Sequence, residues 1–127
     1  MKRDMDLVRA ILLKIEDHPT PTIEGYMEID GYEQGPVHHH IDLLKQAGFV
    51  DAYCAMDANT EYGFLLQDVS LTWNGHEFLG TVRDPEIWQN TKAGALKVGV
   101  WSISILADLA KGLALQKMKA MGLPVGA

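Results

Sequence analysis

The segment Leu71-Thr-Trp-Asn-Gly-His-Glu-Phe-Leu79 constrains the fold more than any other part of the chain. An alternating stretch, Phe64 to Leu71, runs straight into it, so a strand is expected to hand over directly to a helix. Thr72 can cap that helix, and Gly75 falls in its first turn. A helix over about Trp73 to Val82 follows, with Phe78, Leu79 and Val82 on its apolar side.

Upstream, Leu7, Ile11 and Ile15 share one helical face, widened by Val8 and Leu12, which predicts a helix over Asp4–Asp17. Asp4 or Asp6 can cap it, and Pro19 and Pro21 stop it. Thr22 to Ile29 is expected to be a short strand with Ile23 and Ile29 inward. Gly31, Gly35 and Pro36 mark a turn and a new helix start, with Pro36 at the first helical position. That helix is expected over Val37–Ala47, buries Val37, Ile41 and Leu44, and ends at Gly48. Phe49–Ala55 and Phe64–Leu71 form a hairpin around the polar loop Asp57–Glu61. Asp84-Pro85-Glu86 restarts a helix, Lys92 to Gly99 is expected to be a looser connection, and a last helix is expected over Val100–Met121.

At 127 residues the chain suits one domain with a helical appendage. Its 47% apolar and 22% charged content is that of a soluble globular protein. The single cysteine, Cys54, leaves no intramolecular disulfide and suits a reducing cytoplasm. The longest apolar stretch, Val98 to Leu115, is interrupted by Asp108 and Lys111, so no membrane span is expected. Residues 1–92 carry 7 Lys/Arg against 16 Asp/Glu, net −9. Residues 93–127 carry 4 Lys against one Asp, net +3, which completes the total of −6. An acidic body disfavours DNA, because phosphate neutralisation supplies most non-specific affinity.

Two strands, then Leu-Thr-x-x-Gly, then an amphipathic helix is the order in which small winged-helix domains leave their β-wing. Four motifs make the likeness more specific. They are the opening Met-Lys-Arg-Asp-Met-Asp-Leu of residues 1–7, the His-x-x-x-Leu-x-x-Ala-Gly helix end of His40 to Gly48, the Leu71–Leu79 segment, and Arg83-Asp84 with Trp88. In this order they resemble the bacterial and phage family called domain of unknown function 2513, over about residues 1–92. The resemblance implies a winged-helix-like fold in proteins often carried by phages and mobile elements, and it offers no catalytic activity to carry over. Between Asp17 and Gly35 the chain departs from the standard winged helix, with a strand-like segment and no clear second helix.

His38-His39-His40 invites a metal reading. Consecutive helical residues lie about 100° apart, so three in a row cannot face one ion. His40, before the buried Ile41, is expected to be structural, with His38 and His39 facing solvent. A site would need His40 to meet His76 or Glu77, and Glu77 could then act as a base oriented by histidine. The same residues could equally form buried or backbone hydrogen bonds. No Ser-His-Asp set, phosphate loop or usable Cys–His spacing is visible.

As a recognition helix, residues 37–47 would present His38, His39, Asp42, Lys45 and Gln46. Only Lys45 is firmly positive, and the wing, Tyr53 to Leu66, has no Lys or Arg. A phosphate-contacting face would have to gather Lys2, Arg3, Arg9 and the tail lysines. In the last helix Trp101, Ile105, Leu109 and Leu113 fall on one stripe, which either covers the domain's own core or mediates self-association. The sequence therefore predicts an α+β, winged-helix-like domain over residues 1–92, of helices plus a small antiparallel β-wing. A C-terminal helical extension is predicted over residues 93–127. The expected role is that of a cytoplasmic, non-enzymatic regulatory or adaptor protein without cofactor or metal. Its partner would be another protein or a second copy. A winged-helix DNA-binding transcriptional regulator is the alternative.

Overall fold

The computed structural model describes residues 1–99 and 101–124. Among them are five helices and three strands, in the order α1 (Met5–Asp17), β1 (Ile23–Gly25), α2 (Gln34–Gln46), β2 (Val50–Met56), β3 (Phe64–Leu71), α3 (Trp73–Val82), α4 (Pro85–Val98) and α5 (Ile103–Ala120). The class is α+β, with one antiparallel sheet in the order β1-β3-β2. The chain forms two compact units, Met1–Leu79 and Gly80–Ala127. Residue 92, where the sequence suggests a boundary, lies within α4.

In the first unit α1 turns Leu7, Val8, Ile11, Leu12 and Ile15 inward and packs on α2 and β3. The Asp4 carboxylate caps α1 by accepting from the Leu7 amide at 3.1 Å. The expected strand over residues 22–29 is only three residues long. Gly25 and Gly31 both take positive φ, and the Tyr32 amide closes a turn on the Ile29 carbonyl. The chain leaves the sheet there, which buries Met27 and leaves Ile29 half-buried. No helix lies between β1 and α2. Helix α2 begins three residues earlier than expected, with Glu33 at its N-cap, so Pro36 is the third helical residue. Its missing N–H costs nothing there, since first-turn amides have no partner within the helix. Gly48, at φ 80°, closes α2 as predicted.

Both strand pairings slip by one residue at the same point of β3. The extra residue is Asp68, whose φ of 54° makes it the one non-glycine among the described residues with positive φ. Glu24 of β1 accepts the Asp68 amide at 3.1 and 3.2 Å, which satisfies the N–H that the bulge removes from the ladder.

Thr72 joins β3 to α3. Its hydroxyl donates to the Gly48 carbonyl at 2.6 Å and accepts from the Gly75 amide at 3.1 Å. A Cβ at position 75 would fall on the Phe49 carbonyl oxygen, so Gly75 is required there and not merely tolerated. The Phe49 and Phe78 rings stack nearby, 5.2 Å apart and 6° from parallel.

In the second unit α4 and α5 form a helical hairpin. Asp84 caps α4, accepting from the Glu86 and Ile87 amides, with Pro85 at the first position. Residues 92–98 continue this helix, in place of the looser connection the sequence suggested. Ala95 is buried, and Gly94 lies where the Leu109 side chain of α5 approaches within 3.7 Å of a built Cβ. A side chain at position 94 would meet Leu109 at ordinary van der Waals distance, so Gly94 faces α5 without being required there. Ser102 caps α5, and the expected start of that helix at Val100 lies outside the described residues.

Candidate functional site

His40 is buried, and both its ring nitrogens are engaged. Nδ1 donates to the Pro36 carbonyl at 2.8 Å, and Nε2 accepts from the Asp4 amide at 2.8 Å. This pattern assigns the neutral Nδ1–H tautomer. The Tyr32 hydroxyl donates to the second carboxylate oxygen of Asp4 at 2.8 Å, and this acceptor pushes its pKa up to about 12. His40, Asp4 and Tyr32 thus bind the start of α1 to α2 and to the loop before it.

His76 and Glu77 are exposed on α3. His76 lines an open cavity of about 470 Å³ with Glu16, His18, Pro19 and Pro21. The arrangement of His40 with His76 that a metal would need is not formed, because both His40 nitrogens face backbone groups. Among the described residues no group of three His, Cys, Asp or Glu side chains could hold a metal ion.

His38 does not simply face solvent. It is half-buried, its ring lies 4.3 Å from that of Phe64, and Nε2 sits 3.3 Å from the Cys54 Sγ. A Cys–His contact therefore exists that sixteen residues of separation concealed. The register that pairs Cys54 with Leu66 and Met56 with Phe64 creates it. Only the known strand pairing would have revealed it.

On α2, Asp42, Lys45 and Gln46 are exposed and His39 is half-buried. Gln46 donates to Asp42 at 3.0 Å, and the Lys45 ammonium lies 5.7 Å from the Tyr53 ring centre. The one firm positive charge of this helix is thus turned toward an aromatic ring of β2.

The stretch of chain after Lys45 carries formal charge of a single sign. Residues 46–82 contain no Lys or Arg, and their five carboxylates, Asp51, Asp57, Glu61, Asp68 and Glu77, are all exposed. The same stretch also exposes large apolar groups: Tyr53, Met56 (81% exposed), Tyr62 and Trp73 (78% exposed). The Glu61 charge raises the pKa of the neighbouring Tyr62 phenol. A cavity of about 540 Å³ opens beside Tyr62 and is lined also by Tyr32, Glu28, Asp30 and Glu33.

The second unit has the opposite balance. Residues 80–127 carry 6 Lys/Arg against 3 Asp/Glu, net +3, while residues 1–79 carry 5 against 14, net −9. Lys117 reaches from α5 to the cap of α4 and lies 2.7 Å from Asp84. That bond holds the Asp84 carboxyl below the usual carboxylate range and raises Lys117. The stripe Trp101, Ile105, Leu109 and Leu113 is not the buried row of α5, which consists of Leu106 and Ala110. Trp101, Leu109 and Leu113 are half-buried, Leu109 against Gly94, and Ile105 is exposed. The exposed apolar groups of this unit are instead Leu96, Val98, Ile105, Leu115, Met118, Met121 and Leu123. No helix among the described residues is long and apolar enough to cross a membrane.

Comparison with known proteins agrees with the family resemblance. An uncharacterized protein of Haemophilus influenzae is 35% identical over 95 residues, covering 72% of this chain and 76% of that protein. No solved structure matches the chain. The family described as "Hypothetical protein (DUF2513)" matches residues 2–101, most of the chain, with the His40–Asp4–Tyr32 network and the β2–β3 hairpin inside the match. The protein belongs to the DUF2513 family.

Proposed function

We propose that this protein is a winged-helix-like, non-enzymatic regulatory or adaptor protein that acts by binding a basic polypeptide. It would be of the phage or mobile-element type that the family resemblance implies. The order α1-β1-α2-β2-β3 with sheet order β1-β3-β2 supports the winged-helix reading, with β2 and β3 as the wing. The missing helix between β1 and α2 is a departure from that plan.

One observation carries the choice of partner. The wing and the start of α3 expose five carboxylates and no cation across residues 46–82, and expose Tyr53, Met56, Tyr62 and Trp73 as well. Phosphates are repelled by such a surface, whereas a lysine- or arginine-rich segment with apolar residues complements it. Exposed aromatic groups are the residue types that anchor protein interfaces.

The second reading, a DNA-binding transcriptional regulator, is favoured by the position of α2, which corresponds to a recognition helix and exposes Asp42, Lys45 and Gln46. Its single positive charge is the argument against it. Anisotropy titrations with a labelled basic amphipathic peptide and with a labelled random duplex separate the two. Saturable peptide binding that weakens between about 0.05 and 0.2 M salt, with no duplex binding, supports the adaptor. Duplex binding with a steep salt dependence, and none to the peptide, replaces it with the regulator.

A further inference from the structure

We propose that the partner of the acidic wing is the α4–α5 hairpin of a second copy of this chain, so that the protein self-associates wing to hairpin. The inference rests on the adaptor reading above and names the occupant of the surface.

The two surfaces are complementary in both charge and polarity. At the tip of the wing Asp57 and Glu61 adjoin the exposed Met56 and Tyr62, while Asp51 and Tyr53 lie on the outer face of β2, opposite to Met56. At the far end of α5, Lys111 and Lys119 are exposed beside Leu115, Met118 and Met121. At 100° per residue, Lys111, Leu115 and Met118 fall within a 60° sector of α5, and Gly122 prolongs it. Leu123 is brought back to this end by its amide, which donates to the Met118 carbonyl at 2.9 Å across Gly122 at φ 75°. The result is an aliphatic patch with a cationic border, facing solvent on a helix whose buried row is Leu106 and Ala110.

Patches of this kind mark interaction sites when they are contiguous. A hairpin-to-hairpin dimer would bring together two units that each carry +3. A wing-to-hairpin contact sets part of a −9 unit against a +3 unit instead, and every copy supplies both halves. In a two-fold pair each contact forms twice and the assembly closes.

Sedimentation equilibrium of the full chain tests this at about 0.1 M and about 1 M salt, where charges act over about 10 Å and about 3 Å. A dimer at the lower salt, with its dissociation constant raised about tenfold or more at the higher, is the expected result. The reversed variants Lys111→Glu with Lys119→Glu, and Asp57→Lys with Glu61→Lys, should each be monomeric with an unchanged circular dichroism spectrum. Mixing the two should restore a heterodimer, because the wing of one and the hairpin of the other are then complementary again. A wild-type chain that stays monomeric at the lower salt overturns the proposal, as does a dimer indifferent to both reversals. A monomer whose Lys111 and Lys119 are instead needed to bind anionic lipid vesicles assigns the hairpin to a membrane surface and also overturns it. A monomer that still binds the basic peptide leaves the adaptor reading standing and removes only self-docking.

Discussion

Tyr32 and Asp4 are joined by a 2.8 Å hydrogen bond in which the phenol donates to a carboxylate oxygen that the α1 cap leaves over. One carboxylate thus serves two elements, with one oxygen on the Leu7 amide and the other on Tyr32. The bond exists only while the phenol keeps its proton, and the Tyr32 pKa of about 12 expresses this. The folded-state value is raised, so the stabilisation is complete below the ordinary phenol range and is lost as pH rises through about 12. Ultraviolet titration should show a phenol ionising at about 12 that disappears in Tyr32→Phe. An unchanged titration in that variant would refute the assignment.

The buried His40 ring bonds the part-buried Asp4 amide and Pro36 carbonyl at once. Replacing His40 with Ala leaves the Asp4 amide without this partner and opens a void, for which a loss of about 2–4 kcal/mol is expected in urea denaturation. Neither group lies in the proposed interaction surface, so binding measured on the folded fraction should be unchanged.

At position 75 any side chain must displace the Phe49 backbone. Gly75→Ala is expected to cost about 3 kcal/mol or more, by overpacking against an atom that cannot rotate away. Thr72→Ala, which removes the cap of α3 and the bond to Gly48, is expected to cost only about 1 kcal/mol. Thermal melting that ranked the two in the opposite order would contradict this account of the junction.

The pair of Asp84 and Lys117 predicts an acid dependence in the second unit. The Asp84 pKa is lowered in the fold, chiefly by the Lys117 bond. Its contribution is therefore present above the ordinary carboxylate range and is lost as pH falls through the depressed folded value. Lys117 is raised, so its share persists up to the ordinary lysine range and fades only above it. Lys117→Met should lower the melting temperature at neutral pH and flatten its decline in acid. Both groups are solvent-accessible, so high salt should shrink the difference.

Much of the fold was legible because its signals are local. The apolar spacing of α1, the αL glycine after α2, the Thr72 cap and the Asp84-Pro85 start each depend on residues within one or two turns. Three features were not legible, because each is set by a partner distant in sequence. The strand after Pro21 stops at Gly25 although its alternation runs to Ile29. Residues 92–98 stay helical where α4 packs on α5 and buries Ala95. His38 meets Cys54 only through the strand register. The site was less legible than the fold. The net charge was visible in the sequence. That the five carboxylates of residues 46–82 are all exposed, and that the buried row of α5 is Leu106 and Ala110, follows only from the packing.

The bond from the Asp4 amide to His40 spans 36 positions of the chain. An isolated helix of thirteen residues such as α1 is marginal in water. As the chain leaves the ribosome at about 5–20 residues per second, α1 therefore waits about 2–7 s for the residue that fixes its first turn. Throughout that interval the apolar face of α1 has neither α2 nor β3 to pack on.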